Sequence, residues 1–170
     1  MTRRFLALVF LITVCAGANA SARGTPPPER EAIDIPSAAL YEVPAAENAM
    51  FDDINAERAR HGLRALELDR GLSAIARAYA REMLTRQFFG HVTPAGVNPL
   101  QRLLNAGYSF KWSGENLAYS TDGENDAFAH LVASPGHHAN ILGDRFTRVG
   151  VGAVSVSVYG TMFVQEFAGD

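Results

Sequence analysis

The hydrophobic period of this chain changes near its end, and the change limits the folds open to it. Up to about Leu142 apolar residues recur mainly at spacings of three and four, the period of helices. From Arg148 to Phe167 they nearly alternate, the period of strands, with Tyr159-Gly160 as a turn. Helices followed by a β-hairpin predict an α+β fold in which helices pack on a small antiparallel sheet.

The second helix, starting after Asp69, shows the helical period best. Leu72, Ile75, Ala76, Tyr79, Ala80 and Met83 share one face, while Arg70, Arg77, Arg81 and Glu82 occupy the other. A first helix is expected over Ala46–His61, closed by Gly62. A third is bracketed by Asn98, Pro99 and Gly107, with Leu100, Leu103 and Leu104 predicted to face inward. A fourth is expected from about Asn125, and after Pro135-Gly136 a short one over His137–Leu142. Phe110–Tyr119 is a third strand candidate. In the hairpin, Val149 and Val151 have one parity and Val154, Val156 and Val158 the other, which requires either a bulge near Ala153 or a strand covered on both faces.

The N-terminus is expected to be a secretory signal, residues 1–20. Arg3 and Arg4 precede an apolar run, Phe5 to Val14, and Ala18-Asn19-Ala20 has the small-x-small pattern of a cleavage site. The run is shorter than the ~20 residues that span a bilayer, so no membrane span is expected after cleavage. The only cysteine, Cys15, lies in this segment, and the bulky Val14 before it argues against lipidation. A cleaved chain would have no disulfide and would depend on its core. Residues 21–44 carry Pro26-Pro27-Pro28 and Pro36 and read as a linker or arm, leaving one domain over 45–170. Without Arg3 and Arg4, 13 basic residues face 18 acidic ones, a formal net charge of −5. With no basic stripe, nucleic acid is not an expected partner.

Three turns could carry chemistry: Phe89-Gly90-His91, Gly114-Glu115-Asn116, and Ser134-Pro135-Gly136-His137-His138. Two imidazoles and a carboxylate can ligate a divalent ion, or act as an acid/base set without one. Adjacent residues on a helical turn point ~100° apart, so His137 and His138 cannot both face one cleft. The structural alternatives are that His91 ties down a turn and that Glu115 accepts backbone N–H bonds. His61 and His130 read as non-ligating, Asn55 and Arg58 as a structural polar pair, and Tyr108, Phe110 and Trp112 as core.

In order along the chain come Asn55-x-x-Arg58, Phe89-Gly90-His91, Gly114-Glu115-Asn116-Leu117-Ala118, Ser134-Pro135-Gly136-His137-His138-Ala139-Asn140-Ile141-Leu142, Val149-Gly150-Val151-Gly152 and Phe163-Val164-Gln165-Glu166-Phe167. Together they resemble the CAP (SCP) superfamily of cysteine-rich secretory proteins, antigen 5 and pathogenesis-related proteins, in its short, cysteine-free bacterial branch. The resemblance implies a three-layer α-β-α sandwich with a central cleft, where two histidines and two glutamates are proposed to hold a divalent cation, zinc before others. Carried over, His91 and His137 match the histidines and Glu115 one glutamate. Asn116, Ser134 and Asn140 are expected to support them. The second glutamate is missing, its place falling near Ser134, which cannot replace a carboxylate's charge.

The expected function is that of an exported binding module, periplasmic or extracellular, for a small apolar ligand, an envelope component or a protein partner. The alternatives are a metal-assisted or His/Glu-dependent hydrolase and a structural envelope protein. No activated nucleophile is visible: neither Ser113 nor Ser134 sits in a Gly-x-Ser-x-Gly elbow.

Overall fold

The computed structural model describes residues 39–170 apart from Val158; the expected signal and most of the expected arm lie outside them. The helical face read from sequence becomes α2 (Arg70–Thr85). Asp69 caps it, accepting from the Gly71 and Leu72 amides at 2.9 and 3.0 Å, an arrangement worth about 1 kcal/mol. Leu72, Ala76, Tyr79, Ala80 and Met83 are buried against the sheet. The other helices are α1 (Pro44–Arg60), α3 (Pro99–Asn105), α4 (Glu124–Ala133) and α5 (Pro135–Ile141). Gly62 follows α1 with φ of +70°, a left-handed turn that favours glycine.

The sheet contains β1 (Leu40–Glu42), β2 (Glu67–Leu68), β3 (Trp112–Ser120), β4 (Arg148–Val156) and β5 (Gly160–Gly169). Its order is β1-β4-β5-β3, antiparallel, with the two-residue β2 paired parallel to β4. Sequence reading missed β1 and β2. Each is too short to show a period, and β1 falls at the end of the expected arm.

The β4–β5 register runs unbroken from Arg148↔Ala168 to Val156↔Gly160, so no bulge intervenes. The parity conflict arises because β4 is covered on both sides. Val149, Val151 and Ala153 join Met50, Ile54, Phe128, Leu131, Phe163 and Phe167 under α1, α4 and α5. Val154 and Val156 join Tyr79, Met83, Leu117 and Val164 under α2. Fully burying each of the larger apolar chains contributes about 1.5–3 kcal/mol. This is the α-β-α sandwich, and glycine sets its α2 spacing. A Cβ on Gly152 would lie 2.3 Å from the Arg77 backbone nitrogen, and one on Gly150 2.3 Å from the Leu72 carbonyl carbon.

Three sequence expectations need correction. Only Leu103 of α3 is buried; Leu100 and Leu104 are exposed, because seven residues give this helix a single inward position. Trp112 is exposed at the start of β3, with the Arg145 guanidinium 3.9 Å from its ring centroid, so it is not core. Asn55 and Arg58 are structural but not a pair. Asn55 brackets the Leu66 backbone, whereas buried Arg58 donates to the carbonyls of Arg64, Ile141 and Gly143, tying α1 to the end of α5.

Candidate functional site

β3 and β5 pair so that Glu115 lies directly opposite Glu166. Both share the strand face of Leu117 and Val164, which α2 covers. Glu115 is held by an imidazole and a guanidinium from the α2–α3 region. His91 Nδ1 lies 2.7 Å from its Oε1, and Arg102 Nη2 donates to its Oε2. Arg102 organises the whole site. Its Nη1 donates to the carbonyls of His91 and Val97, and its guanidinium lies 3.3 Å from the Tyr79 ring centroid. The Tyr79 hydroxyl donates to the Gly90 carbonyl, fixing the loop that carries His91. Upstream, Asn98 and Gln101 form a reciprocal capping box that sets the direction of α3, and with it Arg102.

Glu166 is fully buried, and neither of its oxygens has a hydrogen-bond partner. Arg102 Nε is 3.9 Å from its Oε1, an ion pair too long for a hydrogen bond. Burial first, then the charge of Glu115, push the Glu166 carboxyl well above the ordinary range. A proton on Glu166 would supply the donor that this buried pair of carboxyls otherwise lacks. Burial also pushes the Tyr79 hydroxyl up to about 12. His137 is held below the usual imidazole range, by burial first and then by the charge of His91, so the two rings share one electrostatic neighbourhood.

The expected supporting residues hold α5 to β3. Asn116 donates to the His137 carbonyl at 3.0 Å and to Gln165 Oε1 at 2.9 Å. Asn140 donates to Asn116 Oδ1 at 2.9 Å and to the Glu115 carbonyl at 3.2 Å. Ser134 contributes its backbone at the α4–α5 junction, its carbonyl accepting from the His138 amide. Gln165 completes this amide network and was not read from the sequence.

His138 turns away from His137 toward α1. Its Nε2 lies 2.8 Å from Glu57 Oε1, and His61 Nε2 lies 3.2 Å from the same oxygen. Arg60 holds the other Glu57 oxygen at 2.6 Å. The ligand atoms of Glu57, His61 and His138 all lie within 4.8 Å of one another, close enough for one metal ion. The His138 hydrogen bond is the largest influence holding the Glu57 carboxyl below its usual range; Arg60 and His61 add to it and burial opposes it.

Sequence reading set His61 and His138 aside and overlooked Arg102, Glu166 and Glu57. Parity gave a signal for one of them, since Glu166 follows Met162 and Val164 on the covered face of β5. Helical spacing gave another, since Glu57 continues the Met50–Ile54 stripe of α1. Nothing local marks Arg102.

The divalent cation implied at His91, Glu115 and His137 does not fit this arrangement. Glu115 gives one oxygen to His91 and the other to a permanent cation, and a metal ion would have to displace or neighbour that guanidinium.

The chain resembles known proteins in sequence and in fold. It is 32% identical over 154 residues, 91% of its length and 59% of the relative's, to the uncharacterized protein YkwD of Bacillus subtilis. It therefore spans less than two thirds of that relative. It superposes with a TM-score of 0.67 and 29% identity on an extracellular protein containing an SCP domain from Bacillus anthracis, over 75% of this chain and 41% of that one. An outer surface protein of Borrelia burgdorferi shares the fold, with a TM-score of 0.71 at 21% identity, over 76% of this chain and 97% of that one. The family model for the cysteine-rich secretory proteins matches residues 51–167, which contain no cysteine, and the chain belongs to this CAP family.

Proposed function

We propose that this CAP domain is an exported binding module for a small apolar ligand taken up beside the His91–Arg102 loop. The carrying observation is four large apolar side chains left about half exposed on that loop and on α3: Phe89 at 49%, Val92 at 51%, Leu100 at 47% and Leu104 at 54%. Phe89 and Val92 flank His91, and Leu100 and Leu104 are one helical turn apart on a single face. On the other side of α3, a groove of about 340 Å³ against α2 is lined by Ile75, Ala78, Tyr79 and Ala106 together with the polar Glu82, Arg102 and Asn105, and none of the four exposed residues lines it. Exposed apolar groups concentrated on two adjoining segments mark a binding surface more than scattered ones do. The polar floor favours binding over hydrolysis. Glu115 is already engaged through both oxygens, and no serine hydroxyl is hydrogen-bonded to His91 or His137 among the described residues. Export is supported by the signal-like N-terminus and by the extracellular description of the Bacillus anthracis relative.

Titration with a fluorescent long-chain fatty acid tests the proposal. Saturable binding is expected, weakened about tenfold by Leu104→Ser and by Phe89→Ser, on the scale of one buried side chain lost from an apolar contact. Unfolding temperatures should stay close to the parent's. Equal binding by parent and variants would remove the apolar surface from the function.

A further inference from the structure

We propose a second site, a divalent transition-metal site formed by Glu57, His61 and His138 on the α1–α5 side of the sheet, independent of the apolar surface above. Three features of the geometry point to it. Two imidazole Nε2 atoms, one from α5 and one from the cap of α1, converge on one carboxylate oxygen, at 2.8 and 3.2 Å. Tetrahedral zinc with bonds of ~2.0–2.1 Å places its ligand atoms roughly 3.4 Å apart, so small side-chain rotations would open this triad around an ion. The His61 and His138 rings stand edge to face, their planes 79° apart, which leaves both nitrogens room to meet at one point.

The surroundings suit an ion. Glu57 lies in the last turn of α1 and His61 caps the end of that helix, so the two are one turn apart. Arg60 grips the second oxygen of Glu57 and orients the first, as partners behind metal ligands commonly do. The Arg60 side chain is itself 59% exposed and can withdraw into solvent when an ion brings its own charge. The His61 side chain is 47% exposed, which leaves an approach and a fourth position for water. Two imidazoles and one carboxylate are borderline ligands suited to zinc, cobalt or nickel rather than to calcium or magnesium. Bound there, an ion would clip the end of α1 to α5, the same two segments that Arg58 ties through backbone carbonyls.

The test is calorimetric titration of the untagged protein with zinc chloride, with cobalt chloride absorption as a readout of coordination. One-to-one binding is expected, with the intense visible bands of tetrahedral cobalt. Glu57→Gln, His61→Gln and His138→Gln should each weaken it about tenfold or more, on the scale of disturbing a metal's ligands or their partners. His138→Arg gives Glu57 a hydrogen-bonding partner while removing a ligand, so it should fold as the parent does and still lose the ion. His91→Gln and His137→Gln should bind as the parent does. No saturable binding, binding retained in the three triad variants, or binding lost in His91→Gln and His137→Gln would each overturn the proposal.

Discussion

Glu115 and Glu57 are both buried glutamates facing an imidazole and an arginine, one on each side of the same sheet. At Glu115 the arginine side chain is only 9% exposed, held by two loop carbonyls and the Tyr79 face, with a second carboxyl, that of Glu166, 3.9 Å from it. At Glu57 the arginine is at the surface and takes one oxygen, leaving the other to two histidines. Identical residue types thus make a closed electrostatic lock in one place and an accessible ligand set in the other. Whether a histidine–glutamate cluster can accept an ion depends on what already neutralises the carboxylate and how firmly that partner is fixed.

The comparison breaks first if the two arginines are equivalent. Arg102→Ala would leave Glu115 beside Glu166 without its buried cation and should cost about 3–5 kcal/mol in denaturant unfolding at neutral pH. Arg60→Ala, at an exposed pair, should cost about 0.5 kcal/mol or less. Equal losses would show that Arg102 is no lock.

A smaller effect sharpens the account of Glu166. Its carboxyl is raised in the folded state, so the folded protein keeps a proton that the unfolded chain has released. Stability from this group is full below the ordinary glutamate range and is lost as pH rises through the raised value. Glu166→Gln keeps a donor to Glu115 without titrating. It should flatten that decline and stabilise the domain at alkaline pH by about 1 kcal/mol, the worth of a hydrogen bond kept. Glu124, which burial and Asp53 push up to about 7, supplies a separate decline through that pH, and Glu124→Gln should remove it. Stability against pH, read by thermal unfolding, distinguishes the two; identical profiles for parent and Glu166→Gln would contradict the shared proton.

The sequence was most legible where chemistry is local. Asp69 and Asn98 cap the helices they precede, the α2 stripe lies on the core, and alternation finds β4 and β5. The conflicting parity of Val151 and Val154 correctly allowed a strand covered twice, and Gly150 and Gly152 show how α2 comes so near. The offset between His137 and His138 was also legible in principle, since neighbours on a turn diverge. What the second ring would meet was not, because Glu57 is 81 residues away on another helix. Arg102 was unreadable for the same reason: its partners Tyr79, His91 and Glu115 gather only once α3 docks. The exposure of Leu104 follows from the shortness of α3, which its leucine spacing alone does not reveal.

The contrast between the two clusters is tested most directly by soaking crystals of the protein in zinc chloride and mapping anomalous scattering at the zinc edge. The account predicts a peak bonded to Glu57, His61 and His138 and none beside Glu115, with Arg102 still on that carboxylate. A peak among His91, Glu115 and His137, with the triad bare, would contradict it.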